Sequence, residues 1–144
     1  MSAIRAVAPG DRAAWERLWR GYLDFYGTVL PEEVFDAQWS RLMASDTVRG
    51  LVAVRDGRLV GLAHLILHVH GWKTTPVCYL QDLYVDPGAR GEGLGRQLLE
   101  AVYGAADAAG APDVYWLTQS GNVTARRLYD RAGRLTDFIK YQRR

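Results

Sequence analysis

The chain has 144 residues, 49% apolar and 24% charged, with 18 basic against 16 acidic side chains and a net charge of +2 at neutral pH. That length supports one domain, residues 1–144, with a real core, and the apolar share excludes a disordered chain. The near balance of charge removes nucleic acid as an expected partner, and no apolar run approaches the ~20 residues of a membrane span.

The amino terminus lacks the basic-then-apolar pattern of a secretory leader, so a cytoplasmic location is expected. Residues 3–8 set Ile4 and Val7 among small and charged residues, which predicts a first strand. Asp11 is placed to cap a helix with apolar positions at Ala14, Trp15, Leu18, Trp19, Tyr22 and Leu23. Pro31 suits the first position of a second helix carrying Val34, Phe35, Trp39, Leu42 and Met43. Residues 51–54, the pair Asp56-Gly57 and residues 59–69 read as a hairpin. Cys78, the only cysteine, has no internal disulfide partner and lies in an apolar stretch, so a buried inert thiol is expected.

Residues 79–85 are apolar and aromatic, as strands are, and Asp86-Pro87-Gly88 ends them. From Leu94 the spacing becomes helical through Leu98, Ala101, Val102, Ala105 and Ala109. Arg90, Gly91, Glu92, Gly93, Leu94, Gly95 and Arg96 occupy the junction. Glycines there let backbone N–H groups face outward, and the helix start adds partial positive charge, so the junction suits a phosphate or pyrophosphate. It is not a Walker loop, because Arg96 and Gln97 follow Gly95, and the spacing of Gly91, Gly93 and Gly95 does not fit a dinucleotide fingerprint.

Residues 113–118 predict another buried strand. After Gln119-Ser120-Gly121, Asn122 can cap a helix that carries Asn122, Ala125 and Tyr129 on one face and ends at Gly133. Residues 136–141 predict a last strand. The expected order is strand, two helices, three strands, helix, strand, helix, strand, an α/β arrangement with a mixed sheet and helices on both faces.

Arg90-x-x-Gly93-x-Gly95, opening a helix directly after a strand, resembles the acyl-CoA pyrophosphate loop of the GNAT superfamily of N-acetyltransferases. Asn122 and Tyr129 resemble its second motif, in which an asparagine and a tyrosine flank the thiol end of coenzyme A. The likeness covers nearly the whole chain. It is nearest the branch of yeast histone- and polyamine-acetylating enzymes and their bacterial relatives, through Trp19, Tyr22, Phe25 and Tyr26, Gly61-Leu62-Ala63-His64, Tyr79-Leu80-Gln81-Asp82-Leu83, Leu128-Tyr129-Asp130 and Phe138-Ile139-x-Tyr141.

This resemblance implies the GNAT fold and acetyl-CoA as co-substrate, without a metal. It implies direct attack by a primary amine of a small molecule, polyamine- or amino-acid-like, in a ternary complex. The backbone of Leu83, Tyr84 and Val85 would hold the pantetheine arm, with the Val85 N–H polarising the acetyl carbonyl. Residues Arg90 to Arg96 would hold the pyrophosphate, and Tyr129 would protonate the departing thiolate. Two other functions fit the same motifs: a protein lysine or N-terminal acetyltransferase, and a non-catalytic acyl-CoA-binding module, against which Asn122 and Tyr129 together argue. Relatives commonly pair the last strand across a two-fold axis, so a homodimer built partly from residues 134–142 is expected.

The general base is less legible. Polyamine acetyltransferases usually carry glutamate where this chain has Gln81, and an amide accepts no proton at neutral pH. Asp82 is adjacent, but strand alternation turns it to the opposite face unless a bulge intervenes. His64 has a suitable reference pKa. Asp82 acting through water ranks ahead of His64, with a water chain to bulk as the third possibility. The acceptor is assigned to Tyr26, Gln81 and Asp82, in a region whose aromatics and acids (Asp24, Glu32, Glu33 and Asp36) suit a cationic amine. His64, His68 and His70 share a strand face, but no acid or cysteine has matching spacing, so no metal site is expected.

Overall fold

In the computed structural model, described for residues 2–144, the strands are β1 (Ser2–Ala6), β2 (Val48–Arg55), β3 (Arg58–His68), β4 (Val77–Val85) and β5 (Val114–Tyr115). The helices are α1 (Arg12–Phe25), α2 (Glu32–Ala44), α3 (Leu94–Ala108) and α4 (Val123–Ala132). The sheet order is β1-β2-β3-β4-β5, antiparallel through β4 and parallel between β4 and β5. The turn between β2 and β3 has positive φ at both Asp56 (52°) and Gly57 (76°), as a tight two-residue hairpin requires.

The sheet separates two cores. On one face α1 and α2 bring Trp15, Leu18, Trp19 and Phe35 against Val52, Leu59 and Leu62. Trp15 stacks on Trp19 at 5.3 Å and meets the edge of Phe35 at 6.3 Å, so the aromatic stripe of α1 is mainly core. On the other face Leu94, Leu98, Leu99 and Val102 of α3 cover Ala63, Leu65 and Leu80. Each such side chain contributes roughly 1.5–3 kcal/mol by leaving water. Cys78 belongs to this second core, and burial pushes its thiol up from the ordinary range.

Several expectations are corrected. Asp11 flanks α1 but does not cap it through its side chain. Its carboxylate instead takes the Arg5 guanidinium at 2.7 and 3.0 Å and the Ala8 N–H at 2.8 Å, which ties β1 to the start of α1. Pro31 is one residue outside α2, in extended backbone. The strand expected over residues 113–118 shrinks to Val114–Tyr115, and Tyr115 and Leu117 are exposed. Residues 136–141 form no strand. A strand exists only with a ladder partner, and within one chain this segment has none; Phe138, Ile139 and Tyr141 are 81%, 77% and 90% exposed. Gly133 ends α4 in extended rather than left-handed backbone, and glycine is needed there because a Cβ would meet Trp116 Cη2 at 2.8 Å.

Candidate functional site

One irregularity in β4 organises the site. His64 pairs with Asp82 and Leu65 with Leu80, so Gln81 is an extra residue bulged out of the ladder. Before the bulge, Cys78 and Leu80 face the α3 core. After it, Leu83 and Val85 face that core while Tyr84 faces α1. The bulge turns Asp82 toward α1 and leaves Gln81 exposed.

A second irregularity opens a groove. β5 pairs with β4 only at Cys78 and Tyr79, so the rest of β4 is unpaired on that side. The Asp86 N–H bonds to Val60 O across β3. Backbone groups alternate along a strand, so the Val85 N–H and C=O point the other way, into the opening. The Val85 carbonyl accepts from Arg90 Nε at 3.0 Å, while its N–H stays directed at the groove.

The groove has a volume of about 520 Å³, within the usual small-molecule range. Its floor is Leu83, Tyr84 and Val85; one end is formed by Arg90, Gly91, Gly93, Leu94, Gly95 and Arg96. Gly91 and Gly93 hold φ of 84° and 78°, conformations that L side chains rarely adopt, and a Cβ on either would point into open space. Gly93 precedes α3 without a side-chain cap, so the first-turn N–H groups are open to an anion. This cradle fits a pyrophosphate. Glu92 does not line it; its carboxylate pairs with Arg55. Arg96 Nε bonds to Glu100 at 3.0 Å, while Arg131 of α4 lines the groove, a cation the sequence reading passed over.

The opposite wall is α4. Asn122 caps it by accepting the Ala125 N–H at 3.3 Å, and Asn122, Ala125, Leu128 and Tyr129 all line the groove. Tyr129 packs edge-on against Trp116 at 5.4 Å. Burial, with a smaller contribution from Tyr26, pushes its phenol up to about 12. Beside Tyr129 lies a small polar pocket lined by Gln81, Leu80, Thr118 and Trp116; Tyr22, Tyr26, Leu83 and Tyr129 line both spaces. Neither lining includes an Asp or Glu. Glu32 and Asp36, expected near a cationic acceptor, are instead paired with Arg20 at 2.8 Å and Arg12 at 2.6 Å.

The two candidate bases lie behind this surface. Asp82 is 6% and His64 1% exposed, and neither lines the groove or the pocket. His64 Nδ1 meets Asp82 Oδ2 at 2.7 Å, and Trp15 Nε1 meets His64 Nε2 at 2.9 Å. An indole N–H only donates, so Nε2 must accept, and Nδ1 carries the proton that it gives to Asp82. His64 therefore has no lone pair for an amine. Tyr22 lines both spaces from α1, the side toward which Asp82 is turned. Burial holds its phenol far above the ordinary range, and the neighbouring Asp82 carboxylate and Tyr26 push it further. Sequence reading placed Tyr22 both on the apolar stripe of α1 and among the aromatics of the acceptor region, without deciding between core and site.

The other histidines are engaged separately. His68 Nε2 meets the Tyr115 hydroxyl at 2.8 Å, and His70 Nδ1 accepts the Trp72 N–H at 3.1 Å. Among the described residues no three His, Cys, Asp or Glu side chains come together as a metal would need.

A split sheet, a glycine cradle at a helix start and a tyrosine that borders both groove and pocket lie together at one end of the fold. Residues 14–133 match the Acetyltransferase (GNAT) family, and the chain belongs to that family. It is an N-acetyltransferase with the GNAT fold. It is 39% identical to the D-amino-acid N-acetyltransferase HPA3 of Saccharomyces cerevisiae, over 97% of this chain and 89% of that protein. It is 34% identical to an aminoglycoside N(6')-acetyltransferase type 1 of Stenotrophomonas maltophilia, over 69% of this chain and 63% of that protein. Among solved structures, that of AAC(6')-Iy in complex with the bisubstrate analog CoA-S-monomethyl-acetylneamine superposes with a TM-score of 0.86 at 21% identity, covering 100% of this chain and 99% of that one. At that identity the likeness is one of fold. Among the described residues no helix is long and apolar enough to cross a membrane.

Proposed function

We propose that the chain transfers the acetyl group of acetyl-CoA to the primary amine of a small amino-acid-like molecule, by direct attack in a ternary complex. The observation that carries this reading is the groove at the Gly91–Gly93 cradle beside a polar pocket at Gln81, two spaces that share Tyr22, Tyr26, Leu83 and Tyr129 as walls. The cradle and the α3 N-terminus take the pyrophosphate, and Arg131 adds charge. The Val85 N–H faces the thioester oxygen as it gains negative charge. Tyr129 hands a proton to the departing sulfur. Its phenol is shifted upward, but the thiolate leaves into the same desolvated groove, which raises its proton affinity too.

Amino acids are favoured over polyamines and aminoglycosides by the pocket wall. A polycation left without acidic partners loses its hydration uncompensated, and no carboxylate lines this space. The 39% identity to a D-amino-acid N-acetyltransferase points the same way. A panel of D- and L-amino acids, spermidine, kanamycin and lysine peptides, with acetyl-CoA and detection of free thiol, tests it. Amino acids are expected to give the highest kcat/KM. Preferred turnover of spermidine or a peptide would reassign the acceptor, and no turnover of any amine would remove the catalytic reading.

We further propose a homodimer that uses residues 134–142. The apolar side chains of Leu135, Phe138, Ile139 and Tyr141 stand exposed, and β5 is only two residues long. Pairing across a two-fold axis would give this segment its ladder and cover those side chains together. Light scattering at micromolar concentration is expected to give the dimer mass, and deletion of residues 136–144 to give monomer. A full-length chain that stays monomeric refutes the assembly.

A further inference from the structure

We propose that Tyr22 conducts the proton of the attacking nitrogen to Asp82, and that Trp15 and His64 are positioning residues that hold this carboxylate ready to accept it. The inference rests on the amine-acetylation reading and names the path that reading leaves open. Tyr22 borders both the groove and the acceptor pocket, whereas Asp82 borders neither. A proton from the pocket reaches Asp82 by way of the Tyr22 hydroxyl.

The arrangement is directional. The Trp15 N–H fixes the acceptor face of His64 at 2.9 Å, and this puts the ring proton on Nδ1, facing Asp82 Oδ2 at 2.7 Å. With one carboxylate oxygen held by His64, the Tyr22 hydroxyl can donate to the carboxylate and still offer its oxygen lone pairs to the pocket. The titratable groups that face Asp82 are His64 from β3, Tyr22 from α1 with Tyr26 behind it, and Tyr79 from β4. Burial holds the phenols of Tyr22 and Tyr79 above their ordinary range, and Trp15 fixes which nitrogen of His64 faces the carboxylate with its proton.

The order of steps follows from the chemistry of the amine. Only a neutral amine has the lone pair that attacks, so the resting ammonium first sheds a proton to solvent. As the N–C bond forms, the nitrogen becomes far more acidic, and its second proton becomes transferable. The N–H bond then breaks as an O–H bond forms on Tyr22, and the original Tyr22 proton moves to Asp82. The C–S bond breaks with its electron pair on sulfur, which takes the Tyr129 proton. Asp82 returns one proton to solvent and Tyr129 regains one, leaving amide and free thiol.

Two measurements on the full-length chain test the proposal. With acetyl-CoA and the panel amine of highest kcat/KM, Tyr22→Phe is expected to lower kcat roughly a hundredfold, the scale of a lost acid–base path. KM for acetyl-CoA should be unchanged, and the residual rate should climb with pH as hydroxide takes the proton. Wild-type kcat in this variant overturns the conduit. Nitrogen-15 NMR of His64 at pH 7 is expected to show the Nδ1–H tautomer, with Nε2 accepting from Trp15. In Trp15→Phe that tautomer should lose its hold, and kcat should fall while KM for acetyl-CoA stays near wild type. A wild-type His64 that carries its proton on Nε2 overturns the clamp. So does a Trp15→Phe enzyme in which the tautomer changes but kcat is unmoved. If Trp15→Phe does not fold, the wild-type spectrum decides. Absence of turnover with every amine would overturn the parent reading, and with it the conduit, while the His64 spectrum still decides the clamp.

Discussion

Tyr129→Phe is expected to lower kcat roughly a hundredfold while acetyl-CoA binding stays near wild type. The ring packs against Trp116, and phenylalanine preserves that contact. Only the hydroxyl, the proton source nearest the joint of groove and pocket, is lost. The pH profile adds an independent check. A phenol pushed up to about 12 stays protonated through pH 10, so it imposes no basic limb on kcat in the ordinary assay range. Full activity in Tyr129→Phe would reduce the residue to packing, and a wild-type basic limb near pH 8 or 9 would have to come from another group.

Gly93→Val should weaken coenzyme A roughly ten- to a hundredfold, the equivalent of one charge-assisted hydrogen bond. The new side chain would project into the space where a Cβ meets nothing within 4 Å. A β-branched residue at φ 78° is also strained, which costs roughly 1–3 kcal/mol whatever the ligand does. Gly57→Val separates the two effects, because Gly57 has nearly the same φ, 76°, in the β2–β3 turn, among residues that do not line the groove. Both variants should lose comparable thermal stability. Only Gly93→Val should lose affinity by calorimetry, and equal affinities in the two would remove the cradle assignment.

Local rules made much of this molecule readable. Asp56-Gly57 specifies its turn, the spacing from Leu94 specifies α3, and Asn122 specifies the start of α4, because each is decided by neighbours within a few residues. The glycine cradle was legible for the same reason. The bulge was readable only as an alternative: Gln81 looks like any strand residue, and its displacement appears once β3 supplies the register. β5 came out shorter than its apolar composition suggested, since the sheet splits after Tyr79 and the remaining residues have no ladder. Residues 136–141 misled for a related reason: alternation marks a segment able to pair but does not supply the partner. Tyr22, one of several aromatics of the acceptor region, stayed undecided because a helical stripe records which side is apolar, not which member also reaches a cavity.

The bulge at Gln81 also sets how β4 should tolerate replacement. In an uninterrupted strand the positions that demand apolar side chains keep one parity from end to end. Here the α3 core claims the even positions Cys78 and Leu80, then the odd positions Leu83 and Val85. A saturation map of this strand would therefore change phase at Gln81. Removing that one residue would join Leu80 directly to Asp82, keep Asp82 opposite His64 and Leu83 on the α3 face, and restore regular alternation. A single-residue deletion here would leave both faces of the sheet with their present side chains, and it would be felt, like most substitutions of Gln81 itself, in the acceptor pocket.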